Sequence, residues 1–157
     1  MSPRAACQLE RLGFAPVYDY APGKAAWLAL GLPAEGSVRD EDRAGSVARR
    51  DAPRCGPDEA VGDVVGRLGE WDLAVVVAGA APGGVVLGVL TETQAGEAEG
   101  SRAVGEVMAT APSTFRPSIT RRELAEWMDG QDGAPSRRTL LTTLDGRLVG
   151  VVCREEL

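Results

Sequence analysis

The stretch that decides the fold is GGVVLGVLTETQ, Gly83–Gln94, and the segment DGRLVGVVCREE, Asp145–Glu156, nearly repeats it. In each copy an apolar strand leaves a glycine turn, passes through a second glycine and ends at a small polar residue followed by acids. Gly88 and Gly150 are the matching inner glycines. Two such copies in one short chain indicate an internal repeat.

The repeat extends upstream of both copies. VARRDAPRCGPDEAVGDVVGRL (47–68) aligns with VMATAPSTFRPSITRRELAEWM (107–128) at a constant offset. Apolar residues at i, i+3, i+4 and i+7 predict one buried helix face in each copy. These positions are Val61, Val64, Val65 and Leu68 in the first copy, with Leu124, Ala125 and Met128 as the last three in the second. Thr120 and Glu123 have the spacing of a capping box.

Two apolar strands are predicted after each helix: 73–77 with 85–90, and 139–143 with 147–152. Asp145-Gly146 is a strong hairpin signal for the second pair. The unit is therefore a short strand, a helix, two strands and the start of another helix, which predicts an α/β (α+β) fold. Strands this rich in Val and Leu need cover on both faces, and we expect the helices to supply it.

The composition excludes several kinds of function. The 157 residues suit one compact domain or two half-domains, and 44% hydrophobic residues indicate a globular protein. A net charge of −6 argues against a nucleic-acid partner. The chain has no histidine, which excludes Ser-His-Asp and Cys-His catalysis and histidine metal sites. No apolar run reaches the roughly 20 residues of a membrane span.

The cysteines indicate the redox environment, and the first 46 residues contain predicted elements of their own. Three widely spaced cysteines and no visible signal peptide predict reduced thiols and a cytoplasmic location. Residues 3–14 are predicted to form a helix that ends at Gly13, residues 16–20 a short strand, and residues 23–33 a second helix. The polar, glycine-containing stretch 34–46 is predicted to be a linker or solvated loop.

The repeated motifs PDEAVGDVVGRL, LAVVV and GVVLGVLTETQ, then RPSITRRELAEWM, TLLTT and DGRLVGVVCREE, resemble the CBS-domain family in its usual tandem pair. The resemblance covers roughly 47–157, with repeats at 47–100 and 101–157. It implies two β-α-β-β-α repeats packed pseudo-symmetrically, sheet against sheet, with a cleft on each side. It also implies AMP, ATP, S-adenosylmethionine or a related adenosyl ligand, a regulatory role without catalysis, and homodimers formed through the helices.

The N-terminal unit, residues 1–46, carries a second resemblance. RLGFAPVYDYAPGKAAWLALGLPAEG looks like the last third of a rhodanese-type sulfurtransferase domain, with a helix–strand–helix order. The catalytic cysteine loop of that family would lie upstream, and Cys7 does not match it. We therefore interpret the segment as a remnant or a truncated piece and expect no thiosulfate sulfurtransferase activity, since a persulfide carrier needs an activated thiolate.

The CBS resemblance also assigns a binding pattern, Gly-apolar-apolar-Thr/Ser-x-x-Asp, in which the hydroxyl meets phosphate or ribose and the aspartate holds the ribose diol. Glutamine replaces the aspartate in the first copy, and cysteine and glutamate replace both residues in the second. An arginine for the phosphate and a cysteine at the implied adenine-pocket wall precede the first helix. The candidate ligand contacts are therefore Thr91, Gln94, Arg50, Cys55, Cys153 and Glu156.

Five of the six candidates also have a purely structural interpretation. Thr91 and Gln94 have capping-box spacing, Cys55 and Cys153 suit buried apolar positions, and Arg50 suits a solvated surface. Three functions stay open: a sensor of an adenosyl nucleotide, a ligand-free module for dimerisation or partner docking, and part of a sulfurtransferase. If a ligand binds, we expect it where Thr91 meets the 49–55 segment rather than beside Cys153.

Overall fold

A computed structural model describes residues 3–20, 23–24, 27, 32–33, 42–79, 84–130 and 137–157. The strands are β1 (Arg54–Cys55), β2 (Leu73–Ala78), β3 (Val85–Thr91), β4 (Ala109–Thr110), β5 (Thr114–Phe115), β6 (Arg138–Thr142) and β7 (Leu148–Cys153). The helices are α1 (Pro3–Arg11), α2 (Val61–Val65), α3 (Glu92–Glu97), α4 (Val104–Val107) and α5 (Arg121–Asp129). Short 3₁₀ turns span Ala44–Ser46 and Arg154–Glu156.

The strands form a four-stranded sheet, β1-β2-β3-β4, and a three-stranded sheet, β5-β6-β7. The first three strands have the same order in both sheets. In each sheet the short first strand runs parallel to the second, and the second pairs antiparallel with the third. Gly88 pairs with Val76 in the first sheet, and Gly150 pairs with Leu141 in the second. The predicted repeat and the mixed α+β fold class are therefore confirmed.

The two inner glycines let a second backbone approach the third strand closely. A Cβ atom on Gly88 would lie 2.5 Å from the Ala109 carbonyl oxygen, and one on Gly150 would lie 2.7 Å from the Arg49 carbonyl oxygen. β4 pairs with β3 at this point. Arg49 likewise exchanges two hydrogen bonds of 2.8 Å with Val151. In both copies the absence of a side chain at this glycine lets another backbone segment pair with the third strand.

Each repeat is completed by a chain segment from outside it: the segment around Ala44 packs on the second repeat, and the segment around Val104 packs on the first. The Ala44 N–H donates to the Ile119 carbonyl at 2.9 Å, and in the first repeat the Val104 N–H donates to the Glu59 carbonyl at 2.9 Å. Ala44 is fully buried. The prediction of a solvated linker over 34–46 is therefore wrong for its described part, 42–46, because this segment packs on the second repeat.

Three apolar clusters hold the fold together. In β2, Ala74 and Val76 face a core shared with α2 and the helices after β3, whereas Val75 and Val77 face a core shared with the second sheet. The second repeat has its own core around Leu124, Met128, Leu141, Val149 and Val152. Helices therefore cover only one face of each sheet, and the other sheet covers the second face.

The predicted helix faces are confirmed except at one position. Val61, Val64 and Leu68 are buried, but Val65, the last residue of α2, is 44% exposed. In α5 the equivalents of Val64 and Leu68 are fully buried. The predicted capping box of α5 is present: the Thr120 hydroxyl accepts from the Glu123 N–H at 3.2 Å.

The N-terminal region agrees with the sequence in part. α1 forms as predicted, and Gly13 follows it with a positive φ of 89°. Residues 16–20 form no strand, since no described segment pairs with them. The helix predicted over 23–33 lies mostly outside the described residues. In the part of the chain that the structure describes, no helix is long and apolar enough to cross a membrane.

Candidate functional site

A cleft of about 360 Å³ opens where the two repeats meet, at the ends of β2, β3 and β6. Five of its lining residues come from the first repeat and two from the second. They are Asp72, Leu73, Thr91, Glu92 and Thr93, then Arg137 and Arg138. A molecule bound in this cleft would contact both repeats at once.

The pseudo-symmetry of the sheets explains why arginines face the end of β3. Leu73 opens β2 and pairs with Thr91, and Arg138 opens β6 and pairs with Cys153. Arg138 is thus the register equivalent of Leu73, and Arg137 is the equivalent of Asp72. The cleft lining thus combines two basic side chains from the second repeat, Arg137 and Arg138, with two acidic ones from the first, Asp72 and Glu92.

Arg138 is held in place by neighbours from the first repeat. It donates a hydrogen bond to the Asp72 carboxylate, and its side chain is 17% exposed. Its guanidinium carbon lies 4.8 Å from the centroid of the buried Trp71 ring. Arg49 lies over the same ring at 4.4 Å and pairs with Glu70. Cation–π contact and ion pairing together fix the Arg138 side chain at the cleft.

Thr91 and Gln94 form the capping box of α3. The Gln94 N–H donates to Thr91 Oγ1 at 3.3 Å, and Gln94 Oε1 accepts from the Thr91 backbone N–H and hydroxyl, each at 3.0 Å. The capping interpretation is therefore confirmed. Thr91 lines the cleft, but its single hydroxyl hydrogen is already donated to Gln94, so toward a ligand the oxygen can act only as an acceptor in this arrangement.

Neither Gln94 nor any of the other four candidates is among the residues that line this cleft. Cys55 is 3% exposed in the core of the first repeat, and burial raises the pKa of its thiol to about 11. Cys153 is buried between the sheets, where desolvation, followed by the Glu156 carboxylate, raises its pKa. The Cys153 N–H donates to Glu156 at 3.2 Å. Arg50 is exposed, and no residue of 49–55 lines the cleft.

One predicted contact, Thr91, lines the cleft together with two arginines that were not predicted, Arg137 and Arg138. Arg137 and Arg138 stand directly before the predicted strand TLLTT, in the stretch RRTLLTT. A pair of arginines at a strand entrance was a signal that could have found them. The position of these arginines in the cleft that Thr91 lines depends on how the two sheets pack, which a local pattern does not show.

A larger hollow of about 760 Å³ lies beside the start of α5. Two of its arginines already bind groups within the protein, although the buried Arg121 Nε has no hydrogen-bond partner among the described residues. Arg154 donates twice to Asp129 at 2.8 Å, and Arg121 donates to the Glu156 carbonyl at 2.6 Å. No group of three metal-ligating side chains is found among the described residues. The smaller cleft is the candidate ligand site because residues of both repeats line it.

Several solved structures have the same architecture as this chain. The described fold matches the cytosolic domain of the Mg²⁺ channel MgtE in complex with ATP, with a TM-score of 0.65 and 22% identity over 74% of this chain and 48% of that one. It also matches CBSX2 in complex with AMP (TM-score 0.61, 19% identity, 73% and 91% covered). CBSX2 is a CBS-pair protein from Arabidopsis thaliana. The fold is that of a tandem CBS pair.

A third CBS neighbour is a CBS-domain-containing protein from Agrobacterium tumefaciens, with a TM-score of 0.55 and 26% identity over 68% of this chain and 81% of that one. The chain spans about half the length of the two magnesium-transporter proteins that it matches, 48% and 46%. No protein-family model and no curated protein matches the sequence. The rhodanese resemblance of the N-terminal unit stays a prediction.

Proposed function

We propose that this CBS pair is a regulatory module that binds an adenosine nucleotide in the cleft between Thr91 and Arg138, without catalysis. The observation that carries the proposal is the pair of arginines from the second repeat that line the same cleft as Thr91. The guanidinium fork matches phosphate geometry and stays charged at any physiological pH. The neighbours in complex with ATP and AMP support the same ligand class.

The cleft has a size that suits a small ligand. Its volume of about 360 Å³ lies near the lower end of the roughly 300–1,000 Å³ range of small-molecule pockets. In the proposed arrangement Arg137 and Arg138 bind the phosphate, and the Thr91 oxygen accepts from a ribose hydroxyl. Gln94 acts indirectly, because it orients the Thr91 hydroxyl. S-adenosylmethionine fits the same class of adenosyl ligand and belongs in the screen.

Binding at this position has a direct route to regulation. Because the lining residues come from both repeats, a bound nucleotide stabilises their packed arrangement. A ligand at 100 times its dissociation constant should add about 2.7 kcal/mol to the free energy of unfolding. A partner that contacts both repeats, or a second copy of this chain, would sense that change.

The test is calorimetric titration and thermal unfolding with AMP, ATP and S-adenosylmethionine. We expect binding by the wild type and a loss of about tenfold or more in affinity for Arg138→Gln, because a charge-assisted hydrogen bond is removed. Arg122→Gln is the matched control, since Arg122 is an exposed arginine on α5 outside the cleft. No heat and no thermal shift with any of these ligands at millimolar concentration would refute the proposal.

One observation favours the alternative, a ligand-free module for dimerisation or docking. The Thr91 hydroxyl donates to Gln94 Oε1 and accepts from the Gln94 N–H in the capping box of α3, so both residues have a structural role without any ligand. The titration separates the two functions. Absence of binding together with a stable oligomer would favour the docking module.

A further inference from the structure

We propose that Asp72 makes this cleft selective for nucleotide charge, so that a nucleoside monophosphate binds more tightly than the triphosphate. The inference rests on the proposed function, since it concerns the same cleft. It goes further because it names which adenosine nucleotide the site takes and which residue decides it.

The first observation is that the arginine best placed for a phosphate already has an anionic partner. Arg138 donates to the Asp72 carboxylate, and both residues line the cleft. The Asp72 side chain is 50% exposed, so it faces the space that a ligand would enter. A phosphate that approaches Arg138 therefore competes with, or lies beside, a carboxylate of the same charge sign.

The second observation is the charge balance of the whole cleft. Its lining holds two cations, Arg137 and Arg138, and two anions, Asp72 and Glu92. A balanced cleft can accept one phosphate group near the arginines. It has no surplus of positive charge to offset the additional phosphates of ADP or ATP, and each of those adds repulsion from the two carboxylates.

The third observation is that Arg138 cannot easily turn away from Asp72. Its guanidinium lies over Trp71, whose ring is buried and also contacts Arg49. Trp71 immediately precedes Asp72 in the chain, so the residue that holds the arginine also places the competing carboxylate. The backbone at Asp72 is fixed as well, because its carbonyl accepts from the Glu92 N–H at 2.8 Å.

The experiment is calorimetric titration of AMP, ADP and ATP, all without added divalent cation, into the wild type and Asp72→Asn. Asparagine keeps the shape and an acceptor oxygen for Arg138 but removes the charge. In the wild type we expect AMP to bind about tenfold or more tightly than ATP. In Asp72→Asn we expect ATP to gain about tenfold in affinity and AMP about threefold, so that the preference shrinks.

Glu106→Gln is the matched control. Glu106 in α4 pairs with Arg102 at 3.2 Å, and neither residue lines the cleft. This variant changes the net charge of the protein by the same amount as Asp72→Asn. Because the change lies outside the cleft, it should leave the ratio of AMP to ATP affinity unchanged.

Raising the ionic strength should shrink the wild-type ratio of AMP to ATP affinity, since the Debye length falls from about 10 Å at 0.1 M to about 3 Å at 1 M salt.

The outcomes separate this inference from the function on which it rests. Equal affinities for AMP and ATP in the wild type, or a ratio that is unchanged in Asp72→Asn, would overturn the selectivity and leave the nucleotide site standing. Absence of binding by every nucleotide to both proteins would overturn both. If Asp72→Asn does not fold, the wild-type ratio and its dependence on salt still decide.

Discussion

At the scale of single residues, the cysteines show how burial separates groups of the same chemistry. Cys7 is exposed on α1, whereas Cys55 and Cys153 are each 3% exposed within apolar cores. Burial raises the pKa of Cys55 to about 11, so little of its reactive thiolate forms near neutral pH. These two residues therefore act as small core side chains.

Thiol titration at pH 8 tests this placement. We expect one thiol to react quickly in the folded protein and all three to react after denaturation, because only Cys7 is accessible. Cys7→Ser should abolish the fast phase. Fast modification of Cys55 or Cys153 in folded Cys7→Ser would contradict the buried placement.

At the scale of elements, the inner glycine of each third strand decides how the sheet is completed. Gly88 is buried, and a Cβ there would also lie 2.8 Å from the Met108 sulfur. An added methyl group must therefore push β4 away from β3. The same steric limit applies at Gly150, where the chain near Arg49 takes the place of β4.

Gly88→Ala should lower the free energy of unfolding by about 1–3 kcal/mol through this overpacking. Gly96→Ala is the matched control, because Gly96 lies in α3 and a Cβ there would meet nothing within 4 Å. That control should be neutral or stabilising by up to about 1 kcal/mol, since alanine favours helix. Urea unfolding of both variants makes the comparison, and equal effects would refute the role assigned to Gly88.

At the scale of the whole molecule, the two repeats form one folding unit. Their sheets share a core that includes Val75, Leu140 and Val151. The backbones also meet directly: the Val86 N–H donates to the Gly146 carbonyl at 3.0 Å, and the Leu148 N–H donates to the Gly84 carbonyl at 3.1 Å. We therefore expect a nucleotide in the cleft to stabilise both repeats together.

We predict that the chain is a homodimer through its helix faces, with a mass twice the 16.4 kDa of one copy by light scattering at micromolar concentration. Val65 on α2 is apolar and 44% exposed, so it is available for such a contact. Val65→Asp should shift the mass toward one copy. Leu144→Asp is the control, since Leu144 is exposed at the β6–β7 turn rather than on a helix, and it should leave the mass unchanged. A monomeric wild type would contradict the prediction.

The sequence by itself determined the features that local patterns encode. The limits of β2, β3, β6 and β7 lie within about one residue of the prediction, and the capping boxes at Thr91 and Thr120 form as expected. Turn residues, apolar periodicity and capping pairs act over a few neighbouring positions, so they can be recognised in one chain. The repeat then implied that each copy holds a short strand, a helix and two further strands in that order.

Only the tertiary structure decided which distant segments meet. Residues 42–49 complete the second repeat, the strand predicted over 16–20 has no described partner, and five of six candidate contacts lie outside the cleft lining. Arg137 and Arg138 line the same cleft as Thr91 because the two sheets pack through a shared core. That packing depends on the complementarity of whole surfaces far apart in the chain, and no local pattern at either end carries it.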